Sequence, residues 1–532
     1  MTIEDYRNER LRKLEEIKAL HIDPYPAKSF RDTKIGEILG NFDEKNEKTV
    51  TVAGRITAIR SFGKLAFVKI RDDSGEIQIF MQVKDAEKVR TETVSRNSYE
   101  NFEVSEPRND GRERTGLKDG RFGVRSLKLL DSGDFVEATG KVGKSSTGEI
   151  SVFSNELRLL GKTLRPLPGR DGFTNKEERY RRRYVDMNVN PEVRERLIRR
   201  SKFWQATRKF MLDHGFIEIN IPVLEHTTGG ADATPFTTHM DALDEDFYLR
   251  ISHELPLKRL LGGGFEKVFD IGPRFRNEGI DDEHLPEHIA FESYAAFEDY
   301  EDGMTLYEEM IKYVASETWG TLKFHVQDFD IDLENGGKPW PRVKYADLLK
   351  QEYGVDVFNP EREQLKQILR DEFKKSEDKN DSAAKKSLEH TLETATTPHL
   401  IDHVWKLIRK RSAGPFWLVE EPLELSPLAK KNPENPRVTE RFHPVIAGTE
   451  MGNGFSELND PLDQLERFKE QQAARDAGDS EAQMLDMDFV EMLEYGMPPA
   501  CGWGNSERNF WLLEGVSGRE AVPFPIIKSK SA

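Results

Sequence analysis

A short segment rich in proline and glycine, residues 163–175 (TLRPLPGRDGFTN), divides the sequence into two parts whose patterns differ. Before it, residues 50–82 form three runs of alternating polar and apolar residues, separated by the turn sequences FGK and DDSG, which is typical of an antiparallel meander. After it, the stretch RERLIRRSKFWQATRKFMLDHG has the spacing of a long helix and leads into strand patterns rich in Ile, Phe and Val. Because proline and glycine interrupt regular structure between these patterns, the chain is predicted to fold as two domains.

The first part has the strand count of a small closed barrel. Two further strand patterns, FVEATGKVGKS and TGEISVFSNELRLLG, follow a polar stretch at 105–121 that is too poor in apolar residues to pack and is predicted to be a mobile loop. With the meander they make five strands with Gly-rich turns, which is the count and size of an OB-fold barrel. An amphipathic pattern at residues 3–20 predicts a helix before the barrel.

The predicted organisation has an N-terminal helical region, a barrel domain, a linker, a larger domain and, inside the larger domain, a charge-rich helical insertion. The helical region is 1–49, the barrel domain 50–162 and the linker 163–185. The larger domain is 186–532, and its insertion is at about 359–412. The insertion contains KKSEDKNDSAAKKSLEH and is expected to lie on the surface.

Composition restricts the kind of protein. Lys and Arg number 79 against 96 Asp and Glu, which gives a formal net charge of −17 over 532 residues. The longest apolar stretches are of strand length and the N-terminus is charged, so we expect no membrane span, no signal peptide and a cytosolic location. The single cysteine, Cys501, excludes a disulfide framework and is expected to serve packing. Taken alone, the acidic balance argues against a nucleic-acid partner.

The most specific stretch for chemistry is residues 274–294 (RFRNEGIDDEHLPEHIAFESY). Arg276 and Glu278 are two residues apart in a strand pattern, so their side chains are predicted to lie on one face. A guanidinium binds phosphate with two hydrogen bonds and a carboxylate accepts from an amine, although such a pair alone is more often a cross-strand ion pair. Two other stretches give the pair a context: FMLDHGFIEINIPVL at 210–224 and PPACGWGNSER at 498–508.

In chain order, these three stretches resemble motifs 1, 2 and 3 of the class II aminoacyl-tRNA synthetases. With the preceding barrel, the chain is similar to the subgroup that carries an N-terminal OB-fold anticodon domain and serves Lys, Asp and Asn. The stretch TERFHPVIAGTEMGNGFSELNDP at 439–461 resembles the signature of the lysyl members of bacterial type, as do GGADATPF, YLRISHELPLKRL and LEYGMPP. The resemblance implies an α+β fold class, with an OB-fold β-barrel followed by an antiparallel catalytic β-sheet flanked by helices.

The resemblance also implies a pocket for lysine. Lysine carries an α-amine, an α-carboxylate and a distant ε-ammonium, so a selective pocket needs acids at two ends and one cation. By resemblance, Glu254 and the backbone near Gly230 take the α-amine, and Arg276 faces the α-carboxylate and the α-phosphate of ATP. The implied lysine-binding residues are Gly230, Glu254, Arg276, Glu292, Tyr294, Asn453, Phe455 and Glu457. Any one of these acids alone would be interpreted as a surface ion pair.

The implied reaction begins with adenylate formation, which depends on positioning and charge neutralisation and uses no protein nucleophile. ATP is the co-substrate, Mg²⁺ is the implied metal, and Arg276 and Arg508 are the implied catalytic residues. The implied ATP-binding residues are Arg276, Glu278, His284, His288, Glu450 and Arg508. The implied metal ligand is Glu450, with His443 and Glu457 as further candidates.

Several positions differ from the most familiar family pattern. Glu283 stands where an arginine often faces the γ-phosphate, His443 replaces an acid that usually helps to bind metal, and His288 replaces a ring that stacks on adenine. Magnesium prefers oxygen ligands, so the number or geometry of metal ions is predicted to differ. Motif 3 is one residue shorter before its arginine than the common spelling, which leaves its register open by one.

The tRNA contacts are also implied by resemblance. Arg60, Phe67 and Gln78 are placed on the strand face where OB-folds bind single-stranded bases, and would read the central U of a lysine anticodon. Without the family context, a barrel Phe is by default a core residue. The arginines that could contact the tRNA backbone, or instead form salt bridges on helix surfaces, are Arg181, Arg182, Arg183, Arg199 and Arg200. Motif 1 implies a homodimer through the region of Pro222.

The leading hypothesis is a ligase that activates L-lysine with ATP and transfers it to the 3′ end of tRNA(Lys). Two alternatives stay open: a ligase that attaches lysine to a protein acceptor, and an RNA-binding paralogue with impaired catalysis, suggested by Glu283 and His443. Charge acts locally, so a net charge of −17 does not exclude tRNA binding through limited basic patches and base stacking.

Overall fold

The computed structural model describes residues 2–82, 120–169, 172–231, 233–281, 284–376, 380–477 and 482–529. The chain divides into two compact units, Met1–Thr174 and Asn175–Ala532. Glu283, and all but the last two residues of the predicted loop at 105–121, lie outside the described residues. In the part of the chain that is described, no helix has both the length and the apolar character needed to cross a membrane.

The first unit places short helices before a β-barrel. Its described helices and strands are α1 (Ile3–Ala19), α2 (Ile35–Gly40), α3 (Phe42–Lys45), β1 (Thr49–Phe62), β2 (Leu65–Arg71), β3 (Glu76–Gln82), β4 (Arg121–Phe122), β5 (Phe135–Lys144), β6 (Ile150–Phe153) and β7 (Leu157–Gly161). The path β1-β2-β3-β6-β5 closes into a ring because β5 also pairs with β1, while β7 and β4 extend from β5. The predicted five-stranded OB-fold barrel is confirmed.

One predicted strand of the barrel is divided in two. TGEISVFSNELRLLG forms β6 and then β7, because the chain turns between them at Ser154. The Ser154 hydroxyl donates to the carbonyl oxygen of Glu156 at 2.8 Å, a local bond that competes with strand pairing.

Alternation along the strands fills the barrel. Ala66, Val68 and Ile70 of β2 are buried, and the residues between them are half-buried. Successive side chains of a strand point to opposite faces, so Phe67 and its neighbour Phe80 on β3 lie on the outer face.

The second unit is built on one large sheet. Its described helices are α4 (Lys176–Arg181), α5 (Arg183–Val189), α6 (Pro191–Asp213), α7 (Glu254–Gly262), α8 (Tyr300–Trp319), α9 (Tyr345–Tyr353), α10 (Arg362–Lys375), α11 (Ser382–Thr394), α12 (Thr397–Arg409), α13 (Pro461–Asp476), α14 (Met487–Tyr495), α15 (Arg508–Glu514) and α16 (Gly518–Ala521). Its described strands are β8 (Ile217–Glu218), β9 (Leu224–Glu225), β10 (Thr237–Met240), β11 (Glu245–Leu249), β12 (Lys267–Phe275), β13 (Glu287–Ala296), β14 (Lys323–Val326), β15 (Phe329–Asp332), β16 (Arg342–Lys344), β17 (Phe416–Val419), β18 (Arg441–Ile446), β19 (Thr449–Glu450), β20 (Asn453–Ser456) and β21 (Ala500–Ser506).

The sheet runs in the order β16-β17-β18-β20-β21-β13-β12-β8, with β19 paired to β18. Its interior neighbours pair antiparallel, and the edge pairs β16–β17 and β12–β8 are parallel. The core cluster on this sheet includes Phe203 of α6, Tyr307 of α8, Trp503 and Cys501, for which packing was expected. The predicted α+β class with an antiparallel catalytic sheet is confirmed.

The insertion is helical but is not confined to the surface. Its last helix, α12, buries Leu400, Val404 and Trp405 in a cluster with Leu418 and Val445 of the large sheet. These apolar residues recur at three- and four-residue spacing, which gives the helix one buried face. The charged stretch that suggested a surface position belongs mainly to the end of α10 and to α11, whereas the buried apolar face belongs to α12, which follows it.

The linker is shorter than predicted. Residues 176–185 were assigned to it, yet they form α4 and the start of α5 within the second unit. Arg183 is buried there and lies 2.9 Å from Asp186. The charged sequence KEERYRRRY concealed this, because the burial of an arginine depends on a partner that a charge pattern does not reveal.

Candidate active site

A cavity of about 350 Å³ opens on the large sheet of the second unit, with side chains of β12, β13, β18, β20 and β21 in its walls. The predicted residues that line it are Gly230, Glu254, Arg276, Glu278, His284, His288, Glu292, Tyr294, His443, Glu450, Asn453, Phe455 and Arg508. Glu457, also predicted, is buried against Gly502 of the lining. The structure therefore brings the expected lysine and ATP residues together.

The floor of the cavity exists because β21 carries glycine at two positions. A Cβ on Gly502 would lie 2.2 Å from Oε1 of Glu457 and 2.2 Å from a ring carbon of Tyr294. A Cβ on Gly504 would lie 2.7 Å from Cγ of Glu292, its partner across the sheet. The predicted Gly-rich turn is thus largely a strand whose missing side chains leave room for acidic and aromatic neighbours.

Two carboxylates at one end of the cavity share a resident ammonium group. Nζ of the fully buried Lys258 lies 2.6 Å from Oε1 of Glu254 and contacts Oε2 of Glu457. Oε1 of Glu457 is buried and finds no hydrogen-bond donor among the described residues. Burial raises the pKa of Glu254, and raises that of Glu457 well above its usual value, against the opposing charge of Lys258. Burial disfavours the charge on Lys258, but the two carboxylates outweigh it and raise the pKa of that lysine.

A third carboxylate, Glu292, faces the same end. Ser252 Oγ donates to it at 2.9 Å and the Tyr294 hydroxyl at 3.3 Å. Burial, reinforced by the nearby acids, raises the pKa of Tyr294 well above its usual value, so the phenol is a neutral donor. Among the described residues, three carboxylates at this end face the ammonium of Lys258 and, 3.7 Å from Glu292, the guanidinium of Arg274. The remaining negative charge suits this end to a further cationic group.

The other end of the cavity is cationic. Arg276 and Arg508 are joined there by Arg274, which sequence reasoning did not name. Burial and the charges of Arg276 and Arg508 lower the pKa of Arg274 to about 9, although Glu292 opposes this. Nε of Arg276 is buried without an acceptor among the described residues. A carboxylate or phosphate would stabilise such a group of guanidiniums.

His288 is engaged at both ring nitrogens. Its Nδ1 lies 3.1 Å from the carbonyl oxygen of Leu285, and Nε of Arg274 donates to its Nε2 at 2.7 Å. Burial and the charges of Arg274 and Arg276 lower the pKa of His288 well below its usual value, so the ring is neutral with its hydrogen on Nδ1. Because both nitrogens are engaged, a ligand such as adenine would have to contact this residue through the face of the ring.

Two segments bound the mouth of the cavity. Glu278 and His284 are exposed in the loop between β12 and β13. Arg508 is the first residue of α15, and the buried Glu507 before it accepts a hydrogen bond from the backbone N–H of Ile289 at 3.0 Å. This bond connects the end of motif 3 to β13 and so fixes the position of Arg508 at the start of α15.

Glu450 is the best-placed oxygen ligand for a magnesium ion. Trp405 Nε1 donates to its Oε1, Arg409 lies 3.6 Å from the same atom, and Oε2 lies 3.8 Å from His443. Burial would raise the pKa of Glu450, but His443, Arg409 and the Trp405 hydrogen bond outweigh it and lower the pKa to about 2. A charged carboxylate with one oxygen available fits Mg²⁺, which proteins bind through one or two carboxylates together with substrate phosphates.

His443 and Glu457, the two further candidate ligands, are both engaged by other side chains. Nε2 of His443 lies 3.3 Å from Glu421, so the imidazole sits between two carboxylates, and Mg²⁺ prefers oxygen to nitrogen. Glu457 is bound to Lys258 instead. Across the described ranges, no group of three or more His, Cys, Asp or Glu side chains has the arrangement of a metal site.

Sequence reasoning missed four residues of the site: Ser252, Lys258, Arg274 and Arg441. Lys258 follows Glu254 by four residues on α7, and Arg274 precedes Arg276 by two on β12. Both spacings place side chains on one face and were available as signals. Nε of Arg441 donates to Oδ1 of Asn453 at 2.8 Å, which leaves the amide NH₂ of Asn453 for the cavity. Arg441 precedes His443 by two on β18, which is the same kind of signal, whereas Ser252 had none.

The predicted anticodon residues lie on the barrel of the first unit. Arg60 is exposed and is opposite Phe67 in the register of β1 and β2. Phe67 is half-buried, with its ring centroid 5.2 Å from that of Phe80. Gln78 is buried, and its Nε2 donates to Ser151 at 3.0 Å. Arg60 and Phe67 are thus adjacent on an open surface, whereas the Gln78 amide is already bonded within the barrel.

Intramolecular partners engage the arginines that were candidates for contacts with the tRNA backbone. The pairs are Arg181 with the carbonyl of Lys528, Arg182 with Glu178, Arg183 with Asp186, Arg199 with Glu514, and Arg200 with Glu507. Arg183 is 1% exposed and out of reach of RNA. Four of the five therefore have a carboxylate partner, whereas Arg181 is bonded to a backbone carbonyl.

The chain combines an OB-fold barrel with an antiparallel sheet, and the cavity on that sheet has carboxylates at one end and three arginines at the other. This combination defines a class II aminoacyl-tRNA synthetase. The sequence profile of the family described as tRNA synthetases class II (D, K and N) matches residues 175–528, and that of the OB-fold nucleic acid binding domain matches residues 50–95. The chain is 39% identical to the lysine–tRNA ligase of Thermosipho africanus, 40% to that of Fervidobacterium nodosum and 39% to that of Thermotoga maritima. These alignments cover 99% of this chain and 96%, 94% and 97% of the three proteins. The chain belongs to the lysine–tRNA ligase family.

Proposed function

We propose that the chain activates L-lysine with ATP and transfers it to the 3′ end of tRNA(Lys). The observation that carries this proposal is the acidic end of the cavity, where Oε1 of Glu457 is buried without a donor among the described residues. A neutral side chain would leave that carboxylate unbalanced, whereas the ε-ammonium of lysine would pair with it. The lysine–tRNA ligases to which the chain is similar support the same substrate.

In the first step, an oxygen of the lysine carboxylate attacks the α-phosphorus of ATP, and pyrophosphate leaves. The side chains orient the two substrates: the carboxylates bind the ammonium groups, and Arg276 and Arg508 neutralise charge on the phosphates. His288 offers its ring face to adenine. Glu450 would hold Mg²⁺, which would supply positive charge to the leaving pyrophosphate.

In the second step, the terminal ribose hydroxyl of tRNA attacks the carbonyl carbon of lysyl-adenylate, an ester forms and AMP leaves. The barrel would select the tRNA, with Phe67 stacking on an anticodon base and Arg60 beside it. Gln78 would join them by giving up its bond to Ser151. The adjacent positions of Arg60 and Phe67 support binding of a single-stranded loop on the outer barrel face.

We also propose a homodimer through the region of Pro222. Ile217 and Leu224, which flank it, expose 52% and 44% of their surface. Exposed apolar side chains grouped in one segment are typical of a protein interface. Sedimentation equilibrium should give twice the chain mass of 61.2 kDa, and a monomer at micromolar concentration would contradict this. We further propose that the chain acts in the cytoplasm, where tRNA is charged.

Exchange of pyrophosphate into ATP, measured with each amino acid in turn, tests the activity. We expect exchange with lysine, followed by charging of tRNA(Lys). Absence of exchange with every amino acid would support the impaired RNA-binding paralogue instead. Lysine-dependent exchange without charging of tRNA would support a different acceptor, such as a protein.

A further inference from the structure

The two ring nitrogens of His443, on β18, have different surroundings. Nε2 lies 3.3 Å from Oε2 of Glu421, and the same oxygen lies 2.7 Å from Nη1 of Arg441. Nδ1 is buried and has no hydrogen-bond partner among the described residues. The residue as a whole is 7% exposed and belongs to the lining of the cavity. A buried polar atom without a partner lowers stability, so this nitrogen is suited to a ligand.

Glu421 determines which nitrogen of His443 can bind a ligand. The guanidinium of Arg441 beside it favours the ionised carboxylate, which only accepts hydrogen bonds, so the hydrogen of the neutral imidazole lies on Nε2. The lone pair of Nδ1 is then directed away from Glu421. A carboxylate on one nitrogen and a metal ion on the other is the usual arrangement around a metal-binding histidine.

Nδ1 faces the carboxylate that is best placed for a metal ion. It lies 3.8 Å from Oε2 of Glu450, which is too long for a hydrogen bond. At bond lengths of about 2.1 Å, two ligands of one ion lie about 3 Å apart when adjacent and about 4.2 Å apart when opposite. Both atoms can therefore bind one ion after a small adjustment. Two protein ligands are enough where substrate phosphates complete the coordination.

We infer that His443 and Glu450 together bind a divalent first-row transition ion in preference to Mg²⁺, with Glu421 holding the imidazole in position. The inference rests on the proposed function, because the phosphates that complete the site come from ATP. The acid that the family pattern usually has at the position of His443 would offer oxygen, the donor that Mg²⁺ prefers. An imidazole nitrogen suits transition ions instead. This chain should therefore differ from the family pattern in the ion that it selects.

Electron spin-echo spectroscopy of Mn²⁺ on the full chain tests the nitrogen contact directly. Mn²⁺ is a stringent probe, because it has the lowest affinity for such ligands in the first-row series. It is added with pyrophosphate, which supplies phosphate oxygens and contains no nitrogen. We expect the echo to be modulated by a directly bound nitrogen, and protein grown with ¹⁵N-labelled histidine should show the modulation of the heavier isotope. An echo that does not respond to the label would overturn the inference.

Metal affinities separate coordination from a structural role of the imidazole. His443→Gln removes the nitrogen ligand, so it should weaken Mn²⁺ binding about tenfold or more and change Mg²⁺ binding by less than about threefold. His443→Glu offers oxygen and should bind Mg²⁺ at least as tightly as the unmodified chain does. His325→Gln is the matched control, because that imidazole is exposed and lies 2.8 Å from Asp330 on the β14–β15 hairpin. It should alter neither affinity.

Other results would overturn the inference or the proposed function separately. Equal losses of Mn²⁺ and Mg²⁺ affinity in His443→Gln would show that the imidazole only supports the site by packing. If that variant does not fold, the echo of the labelled, unmodified chain decides. Lysine-dependent pyrophosphate exchange with Mg²⁺, together with an echo that lacks the histidine nitrogen, would reject this inference and leave the function. Binding of Mn²⁺ through His443 without exchange would reject the function and leave the metal site.

Discussion

At the scale of single residues, Lys258 shapes the acidic end of the cavity. It is a resident ammonium group between Glu254 and Glu457, beside the place where the ammonium of a substrate is proposed to bind. Without it, two buried carboxylates would repel each other. With it, the pair still has spare negative charge, to which Glu292 adds, so the site can discriminate by charge as well as by shape.

Glu457→Gln should reduce lysine activation far more than ATP binding. The change removes the charge that faces the substrate ammonium while keeping the shape of the side chain. Charge-assisted hydrogen bonds are worth about 1.5–3 kcal/mol, so kcat/KM for lysine should fall about ten- to hundredfold. Pyrophosphate exchange with lysine and ATP varied separately measures this. Equal losses for the two substrates would reject the pocket assignment, and Glu389→Gln on the insertion surface is the control.

Glu225, on β9, should make the stability of the fold depend on pH. This effect is separate from catalysis. Burial raises its pKa from 4.5 to about 8, and one of its oxygens is buried without a partner among the described residues. Between these pH values the folded chain keeps a proton that the unfolded chain has lost, so this group lowers stability as pH rises.

Glu225→Gln should therefore stabilise the protein at pH 8 and have little effect at pH 5. One pKa unit corresponds to about 1.4 kcal/mol, and with partial screening we expect a gain of about 2 kcal/mol at pH 8. Urea unfolding of both proteins at the two pH values measures this difference. The same difference at both values would show that titration of Glu225 is not its cause.

At the scale of elements, α12 links the insertion to the ATP side of the cavity. Trp405 on this helix donates to Glu450, and Arg409 at its end approaches the same carboxylate. The helix thus sets the position and charge of a residue on β19. Its buried apolar face supplies the rigidity that such a contact needs.

Trp405→Phe should weaken ATP binding in the presence of Mg²⁺ and leave lysine binding unchanged. The substitution keeps the aromatic packing and removes the Nε1–H donor, so the pKa of Glu450 should rise and its orientation should loosen. Loss of a hydrogen bond to a charged group predicts roughly a tenfold weaker affinity for ATP. Trp340→Phe is the matched control, because Trp340 Nε1 donates to the carbonyl of Leu333, which is not part of the cavity lining. Calorimetry that shows the same ATP affinity in the Trp405 variant as in the unmodified chain would contradict this role.

On the barrel, Phe67→Ala should reduce charging of tRNA while lysine-dependent exchange persists. Stacking of a base on an aromatic ring is worth about 1–3 kcal/mol, so KM for tRNA should rise about five- to hundredfold. Phe122→Ala provides the contrast, because that ring is fully buried and its loss should lower barrel stability by about 3–5 kcal/mol. If Phe67→Ala destabilises the chain as much as Phe122→Ala does, Phe67 is a core residue.

At the scale of the whole molecule, the features that repeat along the chain were predictable. Alternation along β1 to β3 predicted the barrel, and the motif order predicted the antiparallel sheet. Contacts between distant segments were not predictable, because they leave no periodic pattern in the sequence. Trp405 contacts Glu450, which is 45 residues away, and Arg183 is buried by its partners. Within the site, Glu254, Glu292 and Glu457 followed from the resemblance. The spacing of four residues on α7 could have indicated the pairing of Lys258 with Glu254, whereas its contact with the distant Glu457 required the tertiary structure.

The acidic net charge of −17 is compatible with this arrangement. The cationic end of the cavity concentrates Arg274, Arg276 and Arg508 where anions are expected, although the chain as a whole repels them. Several other arginines are engaged by carboxylates and contribute little field of their own. Binding of tRNA should therefore depend on local contacts.

The glycines of β21 restrict how the specificity of this scaffold could evolve. A Cβ at Gly502 or Gly504 would occupy space already taken by Glu457, Tyr294 or Glu292. A change of amino-acid substrate by a single substitution must therefore arise in the walls, while the floor is inherited unchanged. Related enzymes that take a different amino acid are expected to differ at the position of Glu457 before they differ at either glycine.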